Sequence, residues 1–338
     1  MNEQQLLKAA REGDERAYAQ LVEAHRGPLY AHSYRMLGSV HDAEDAVQEA
    51  LLKAWKALGR FETRSSLRTW LYTIATNVCL RMIERRPSPR VLPLDYGPPS
   101  DPHGPLGPPL LESRIVEPYP DRDLGLAEGL AGPEARYEQR EAIELAFIAA
   151  LQHLSGRQRA VLILRDVLGF SGAEVAEALD TTPASVYSLL QRAHATIDER
   201  LPDRSQQATL RALDDKQLHA IVGRYIEAWT HKDVDAIVQM LTEGATLTMP
   251  PIVSWYRGLE AIEIMFRTVA FANERSWRML PTSANGQLAV GTYERDSSGH
   301  HAPHGVTVLT LRGDKIEEII AYHGPWMLQR FGLPAWAR

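Results

Sequence analysis

Cysteine is almost absent: Cys79 is the only one in 338 residues. That excludes a disulfide framework and a Cys-rich zinc site, and it fits a reducing cytosol. No apolar run reaches the ~18 residues that span a bilayer, so no membrane partner is expected. The opening segment, MNEQQLLKAAREGDE, lacks the apolar stretch of a secretory signal. A net positive charge is also missing; the formal charge is −6. Nucleic-acid binding therefore has to rest on a local basic face, because phosphate contacts act by releasing counterions where the cations cluster.

Proline and glycine concentrate in one window. Residues 87–140 hold 12 of the 21 prolines and 6 of the 23 glycines. Proline removes backbone donors and glycine raises backbone entropy, so no regular element is expected there. Residues 91–140 carry 4 basic and 9 acidic side chains, a net −5. This reads as an acidic linker over residues 87–133.

Both flanks are helical in pattern. In residues 1–86, Asp14 is positioned to cap a helix running to Leu37, with Gly38 as its stop. Asp42 begins a second, with Ala43, Val47, Ala50, Leu51 and Ala54 on one face. Ser65 or Ser66 begins a third, and Pro87 ends the series. Residues 60–90 hold seven arginines against two glutamates, the sharpest local basic excess in the chain. In residues 134–201, Ser155-Gly-Arg-Gln158 and Ser171-Gly-Ala-Glu174 fit capping boxes. Thr182 precedes Pro183 as an N-cap precedes proline at N1. A short helix, a tight turn and a second helix make a helix-turn-helix.

After a connector over residues 202–211 the pattern changes. Residues 212–338 predict one long helix broken near Lys232-Asp233, a helix over 259–268 and five strand-like runs. GVTVLTLR and KIEEIIAYH, joined by Gly313-Asp314, form a hairpin. The expectation is an α+β domain with a curved antiparallel sheet.

The order of these parts carries a resemblance. DAEDAVQEALLKAW, then RFETRSSLRTWLYTIATNVCLRMIERR, then a Pro-rich gap, then LSGRQRAVLILRDVLGFSGAEVAEALDTTPASVYSLLQRAHATI resembles the extracytoplasmic-function group of bacterial RNA polymerase sigma factors. Residues 212–338 resemble a SnoaL-like domain of the nuclear-transport-factor-two-like type. The fold expected is multidomain: two all-α sigma domains, a helical bundle and a helix-turn-helix, joined by the Pro-rich linker and followed by an α+β cone-like domain.

The resemblance implies partners and sites. Core RNA polymerase would dock on Asp42, Asp45, Gln48 and Glu49. Melted −10 DNA would meet Arg60, Arg64, Ser65, Arg68 and Asn77, with Arg81, Arg85 and Arg86 holding backbone phosphate. Arginine with interleaved aromatic and amide groups suits a strand that must be held and unstacked. Double-stranded −35 DNA would meet Thr182, Ala184, Ser185, Tyr187, Ser188, Gln191, Arg192 and His194, because the second helix of such a unit enters the major groove. Many relatives carry cations where Tyr187 and His194 stand; Arg192 is the one obligate cation on this helix before Arg200. The linker is implied to run through the polymerase, where negative charge suits a basic channel, and IVEPYPD is its most distinctive stretch.

The C-terminal domain offers an apolar pocket from Tyr225, Trp229, Met249, Trp255, Tyr256, Phe266, Tyr293 and Tyr322, suited to a small apolar ligand. Tyr225 matches a catalytic tyrosine of ketosteroid isomerases. Met249 stands where those enzymes carry their base, leaving Asp235, His304 and His323 as polar candidates. No catalytic residue, cofactor or metal is assigned; HAPH (301–304) supplies too few ligands for a metal. The expected role is a cytoplasmic sigma factor, not an enzyme, whose C-terminal domain packs on the sigma domains and modulates them. Two other readings stand beside it: a DNA-binding regulator without polymerase docking, and a working isomerase or hydrolase in the C-terminal domain.

Overall fold

The computed structural model describes residues 2–61, 66–86, 90, 92, 94, 97–110, 115–123, 142, 144–201 and 205–337. The chain forms two compact units, residues 1–90 with 122–201, and 91–121 with 202–338.

The first unit opens with α1 (Glu3–Arg11), α2 (Glu15–Leu37), α3 (Val40–Ala57) and α4 (Leu67–Glu84). The Asp14 carboxylate accepts from the amides of Arg16 and Ala17 and so starts α2. Gly38 stops it at φ 67°, a left-handed conformation that glycine adopts without a Cβ penalty. Ser39, not Asp42, caps α3; its hydroxyl accepts from the Asp42 amide. Asp42 then lies in the first turn, where the helix dipole favours an acid. Ser66 caps α4. Ala43, Val47, Ala50 and Ala54 of α3, with Leu71, Ala75, Val78 and Cys79 of α4, are buried. Small side chains on these faces let the helices approach closely. His32 of α2 meets the Thr76 hydroxyl of α4 at 2.9 Å, fully buried.

The same unit continues with α5 (Leu145–Gln152), α6 (Gly156–Leu162), α7 (Gly172–Ala178) and α8 (Pro183–Asp198). Both capping boxes form, and Thr182 caps α8 with Pro183 in its first turn. A π turn over Ile163–Val167 extends α6 before Phe170 turns inward.

The second unit is built on six strands: β1 (Leu241–Thr248), β2 (Trp255–Arg257), β3 (Trp277–Ala284), β4 (Gln287–Arg295), β5 (His301–Arg312) and β6 (Lys315–His323). Their order is β2-β1-β6-β5-β4-β3. The β5–β6 hairpin forms, with Leu309 opposite Ile319. The sheet is mixed, not wholly antiparallel, because β1 runs parallel to β6 with Leu247 opposite Ile319. Turn signals mark only local hairpins, so a pairing across about seventy residues leaves no mark in the sequence.

Helices α9 (Gln206–Arg211), α10 (Asp215–Thr230), α11 (Val234–Gln239), α12 (Leu259–Met265) and α13 (Pro325–Arg330) complete the unit. The break between α10 and α11 falls at Lys232, at φ 56°. The connector over 202–211 turns out to contain a helix. Buried Gln206 of α9 donates to the Leu311 carbonyl (2.9 Å) and accepts from its amide (2.6 Å), as a neighbouring strand would.

The linker expectation requires division. Its described parts contain only short 3₁₀ turns and isolated bridges, and those over 97–121 lie along the C-terminal domain. The Ser100 amide donates to the Trp255 carbonyl (2.8 Å) and the Leu110 amide to the Pro251 carbonyl (2.7 Å). Tyr119 and Asn285 exchange two bonds, and Pro120 bridges Ala284 of β3. Residues 115–120 are all buried. Prolines forbid a ladder of their own, yet the intervening amides remain free to pair with the loops and edges of a ready-made sheet. Ile115, Val116 and Tyr119 contribute apolar burial there, roughly 2 kcal/mol for each side chain fully removed from water.

Candidate functional site

Three surfaces of the first unit carry the sequence-predicted residues. On α3, Asp45, Gln48 and Glu49 are exposed on the side away from the alanine face. Lys53 donates to the Glu49 carboxylate and holds it below the ordinary carboxylate range. Asp42 differs from its neighbours. It is half-buried and pairs with Arg86 and with buried Arg90 (2.9 Å). Asp42 therefore tethers the end of α4 to the start of α3, and only Asp45, Gln48 and Glu49 form an open edge.

On α4 and its flanks the basic residues separate into two groups. Arg60, Arg68, Arg81 and Arg85 are exposed, Arg81 lying 3.7 Å from Glu49. Arg86 is turned inward: it donates to the Leu37 carbonyl (2.9 Å) and to Asp42, closing the end of α2. These contacts give the half-buried guanidinium the carboxylate and carbonyl it needs to offset desolvation. Arg64 and Ser65 lie outside the described residues.

Arg68 and Asn77 are engaged by the helix-turn-helix half of the same unit. Arg68 donates to the Leu168 carbonyl (3.0 Å) and lies 4.6 Å from the Phe170 ring centroid and 5.2 Å from that of Tyr72. Asn77 donates to the Ala178 carbonyl at the end of α7 (3.4 Å). A third tie comes from Arg159, the residue after the Ser155–Gln158 capping box, which nothing in the sequence pattern singled out. Its side chain is 3% exposed. It donates to the Met36 carbonyl at the end of α2, to Gln152 Oε1 (2.7 Å), and to the Gln152 (3.2 Å) and Leu154 (3.1 Å) carbonyls. Burial pulls its guanidinium down to about 9, with Arg86 adding to the effect, so it is still mostly charged at neutral pH.

The outer face of α8 is open. Thr182, Ala184, Tyr187, Ser188, Gln191, Arg192 and His194 are exposed, and Ser185 is half-buried. Tyr187 is 57% exposed, a large aromatic left in water at the head of the helix. Arg192 donates to Ser188 Oγ (3.0 Å), and His194 meets Asp166 at 2.6 Å. Val186 and Ala193 form the buried side.

In the second unit a cavity of about 250 Å³ opens between the sheet and the helices. Tyr225, Trp229, Met249, Phe266 and Tyr322 line it, as expected. Trp255, Tyr256 and Tyr293 do not. The Trp255 indole donates to the Gly97 carbonyl (3.0 Å) and anchors the linker, while Tyr256 is buried in the core. The Tyr293 hydroxyl donates to the Pro334 carbonyl (2.8 Å), beyond α13. Alternation puts successive strand residues on opposite faces, and the face that borders the cavity is settled only by the packed helices. His304 and His323 also line the cavity, whereas Asp235 is an exposed partner of Arg267. Arg275 grips Glu294 through two bonds (2.5 and 2.9 Å), and His304 lies 3.5 Å from that carboxylate. The Arg275–Glu294 pair spans a turn and a strand and had no sequence signature.

Comparison with known proteins matches three segments of the chain to known families. Residues 21–87 match the Sigma-70 region 2 family, 144–197 the Sigma-70 region 4 family and 222–319 the SnoaL-like domain family. The chain is 42% identical over 329 residues to the ECF RNA polymerase sigma factor SigG of Mycobacterium tuberculosis, covering 96% of this chain and 85% of that one. It is 29% identical over 209 residues to RNA polymerase sigma-H factor of Pseudomonas aeruginosa, covering 61% of this chain and 97% of that one. Among solved structures, the extracytoplasmic function sigma factor SigJ of Mycobacterium tuberculosis superimposes with a TM-score of 0.57 at 22% identity, over 94% of this chain and 99% of that one. Among the described residues, no helix is long and apolar enough to cross a membrane.

Proposed function

The chain belongs to the extracytoplasmic-function group of RNA polymerase sigma factors, and from that premise we propose how its surfaces divide the work. As a sigma factor it binds core RNA polymerase and directs promoter recognition; the polymerase performs the chemistry. Asp45, Gln48 and Glu49 form the docking edge, where short acids and an amide on a rigid helix suit arginine on a partner. The open face of α8 reads the −35 element, with Tyr187 and Gln191 at base edges and Arg192 on phosphate. Arg60, Arg68, Asn77, Arg81 and Arg85 serve the −10 element, together with Arg64 and Ser65. The setting is the cytoplasm, where the polymerase works.

The observation that carries this reading is the contrast between open and occupied surfaces. The α3 edge and the α8 face are accessible. Arg68, though exposed, and half-buried Asn77 each donate to a backbone carbonyl of the helix-turn-helix half, at Leu168 and Ala178. This is a closed arrangement, and promoter melting requires these ties to exchange for DNA. The C-terminal domain modulates the change by holding the linker along its own surface, so that the linker is withheld from the polymerase until released.

Run-off transcription with purified core polymerase and a promoter library tests this. The full chain is expected to support initiation. Variants that loosen the linker, such as Trp255→Phe, are expected to raise the yield. Failure of the full chain and of the loosened variants to bind core polymerase at low salt refutes the assignment.

A further inference from the structure

We propose that the β3–β4 turn, Asn285-Gly286, is a releasable clasp: a binding site for an extended tyrosine–proline–aspartate peptide, filled here by Tyr119-Pro120-Asp121 of the linker, that ties down both ends of the excursion carrying the helix-turn-helix. The regulatory consequence rests on the reading above; the clasp itself does not.

The turn comes first. Ala284 pairs with Gln287, so two residues close the hairpin. Both have positive φ, 55° at Asn285 and 70° at Gly286, the type I′ geometry that suits an Asn-Gly pair. In such a turn the N–H and C=O groups of the two central residues stand outside the ladder, and at a hairpin tip they ordinarily face water. Here Asn285 is 0% exposed. Its amide donates to the Tyr119 carbonyl (2.9 Å), and the Gly286 amide donates to Asp121 Oδ1 (2.7 Å). The Gly286 carbonyl accepts from Gln207 Nε2 of α9 (2.6 Å). The Asn285 side chain adds a further bond, its Oδ1 accepting from the Tyr119 amide (2.7 Å). One buried asparagine thus reads the backbone of Tyr119 in both directions.

These bonds join parts of the chain that are far apart in sequence. The chain leaves the C-terminal unit after residue 121 and re-enters it at residue 202. Asp121 is the last residue before the first crossing, and Gln207 follows soon after the second. Both bond to Gly286. A single glycine therefore closes the excursion over residues 122–201, which contains α5–α8. Buried Gln206 secures the returning chain on the backbone of Leu311 in β5.

The linker segment suits a bond that opens. In Glu117-Pro118-Tyr119-Pro120-Asp121 the prolines leave Tyr119 as the one residue between the two acids with an amide donor, and Asn285 takes it. Such a segment cannot form a ladder of its own, so it separates from the turn without breaking one. The prolines also restrict it before it binds, which lowers the entropy lost on closing. Tyr119 is 3% exposed and Val116 0%, so apolar burial adds to the polar bonds. The Asp121 carboxylate makes the charge-assisted bond of the set and so the strongest single tie. Release of residues 115–121 yields roughly 24 Å of extended chain. That is slack for the linker to reach the polymerase.

Hydrogen exchange on the full chain, read at the amides of Tyr119, Asn285 and Gly286, tests the clasp. Asp121→Ala is expected to speed the Gly286 amide at least about tenfold, the value of one charge-assisted hydrogen bond. The amides of β5 and β6 stay unchanged and serve as the control for folding. Asp121→Asn keeps an acceptor oxygen and is expected to remain within about threefold of the native chain. The synthetic peptide IVEPYPD is then titrated into the Asp121→Ala chain. It is expected to slow the Gly286 amide again at millimolar concentration, the range in which a free segment matches a tethered one. The same peptide with alanine for its final aspartate is expected to bind at least about threefold more weakly. Unchanged exchange at Tyr119 and Gly286 in Asp121→Ala, equal opening by Asp121→Asn, or no effect of the peptide at millimolar concentration overturns the proposal. Run-off transcription on the same preparations separates the two readings. A raised yield from Trp255→Phe with unchanged exchange in Asp121→Ala removes the clasp alone. Faster exchange in Asp121→Ala without a raised yield removes the regulatory reading and leaves the clasp.

Discussion

Replacing Arg159 by methionine tests the closed arrangement most directly. The side chain is 3% exposed and satisfies four oxygens, three from backbone carbonyls and one from the Gln152 amide. Methionine fills much of the same space but donates nothing. Hydrogen bonds to a charged group are worth ~1.5–3 kcal/mol each, and burying the charge costs several kcal/mol in the other direction. Removing one partner of a buried charged pair usually costs ~3–5 kcal/mol. Here the groups left behind are neutral carbonyls, so we predict the lower end, about 3 kcal/mol, or roughly a hundredfold in the equilibrium that keeps α5–α6 docked on α2. Denaturant unfolding of the full chain, with hydrogen exchange read in α2, α4 and α6, measures it. Arg159→Lys keeps the charge but cannot fork to four oxygens, and is expected to fall between methionine and the native chain. If closure competes with the polymerase, the methionine variant also binds core more tightly. A loss below about 1 kcal/mol together with unchanged exchange and unchanged core affinity would show that Arg159 does not hold these halves together.

Further tests address separate surfaces. Asp45→Arg is expected to reduce core-polymerase binding at least about tenfold while the unfolding free energy stays within ~0.5 kcal/mol, because the position is exposed; normal binding in a pull-down excludes the α3 edge. Arg192→Ala is expected to lower the salt slope of −35 duplex binding by about 1, the mark of one phosphate contact; an unchanged slope removes it from the backbone contacts. His32 is buried and pulled down to about 3 by burial, with Arg35 adding to it, from an ordinary 6.5. The folded state therefore resists a proton that the unfolded chain accepts. Stability is expected to fall as pH drops from about 6.5 toward 3, by up to roughly 1.4 kcal/mol per unit, and His32→Gln should flatten that part of the profile. Trp255→Phe deletes the bond to the Gly97 carbonyl and should speed amide exchange over residues 97–101 by up to about tenfold; unchanged exchange means the indole is not an anchor.

Much of the architecture was legible because its signals are local. Asp14, Ser155, Ser171 and Thr182 each cap the helix their spacing announces, and Gly38 ends α2. Such signals work over three or four residues, so no neighbour can override them cheaply. The β5–β6 hairpin was readable for the same reason. Asp42 and Arg86 show the limit. Their types and positions suit a surface interaction, but an ion pair across 44 residues takes both inward. Trp255 and Tyr293 are apolar enough to line a pocket, and the strand pattern alone does not say on which side of the sheet they stand.

What the chain determined by itself was the list of parts: two helical blocks, a segment too rich in proline for regular structure, an α+β domain, and the exposed chemistry of α3 and α8. Periodicity and capping are properties of short stretches, and they remain the same wherever those stretches are placed. Tertiary structure decided how the parts are used. It drew Arg68 and Asn77 onto backbone carbonyls of the helix-turn-helix half, buried Arg159 under the end of α2, paired β1 in parallel with β6, and laid the linker along the C-terminal domain. Each depends on a contact between residues far apart in sequence. Such contacts form only where burial and mutual satisfaction of polar groups outweigh the entropy of closing the intervening chain.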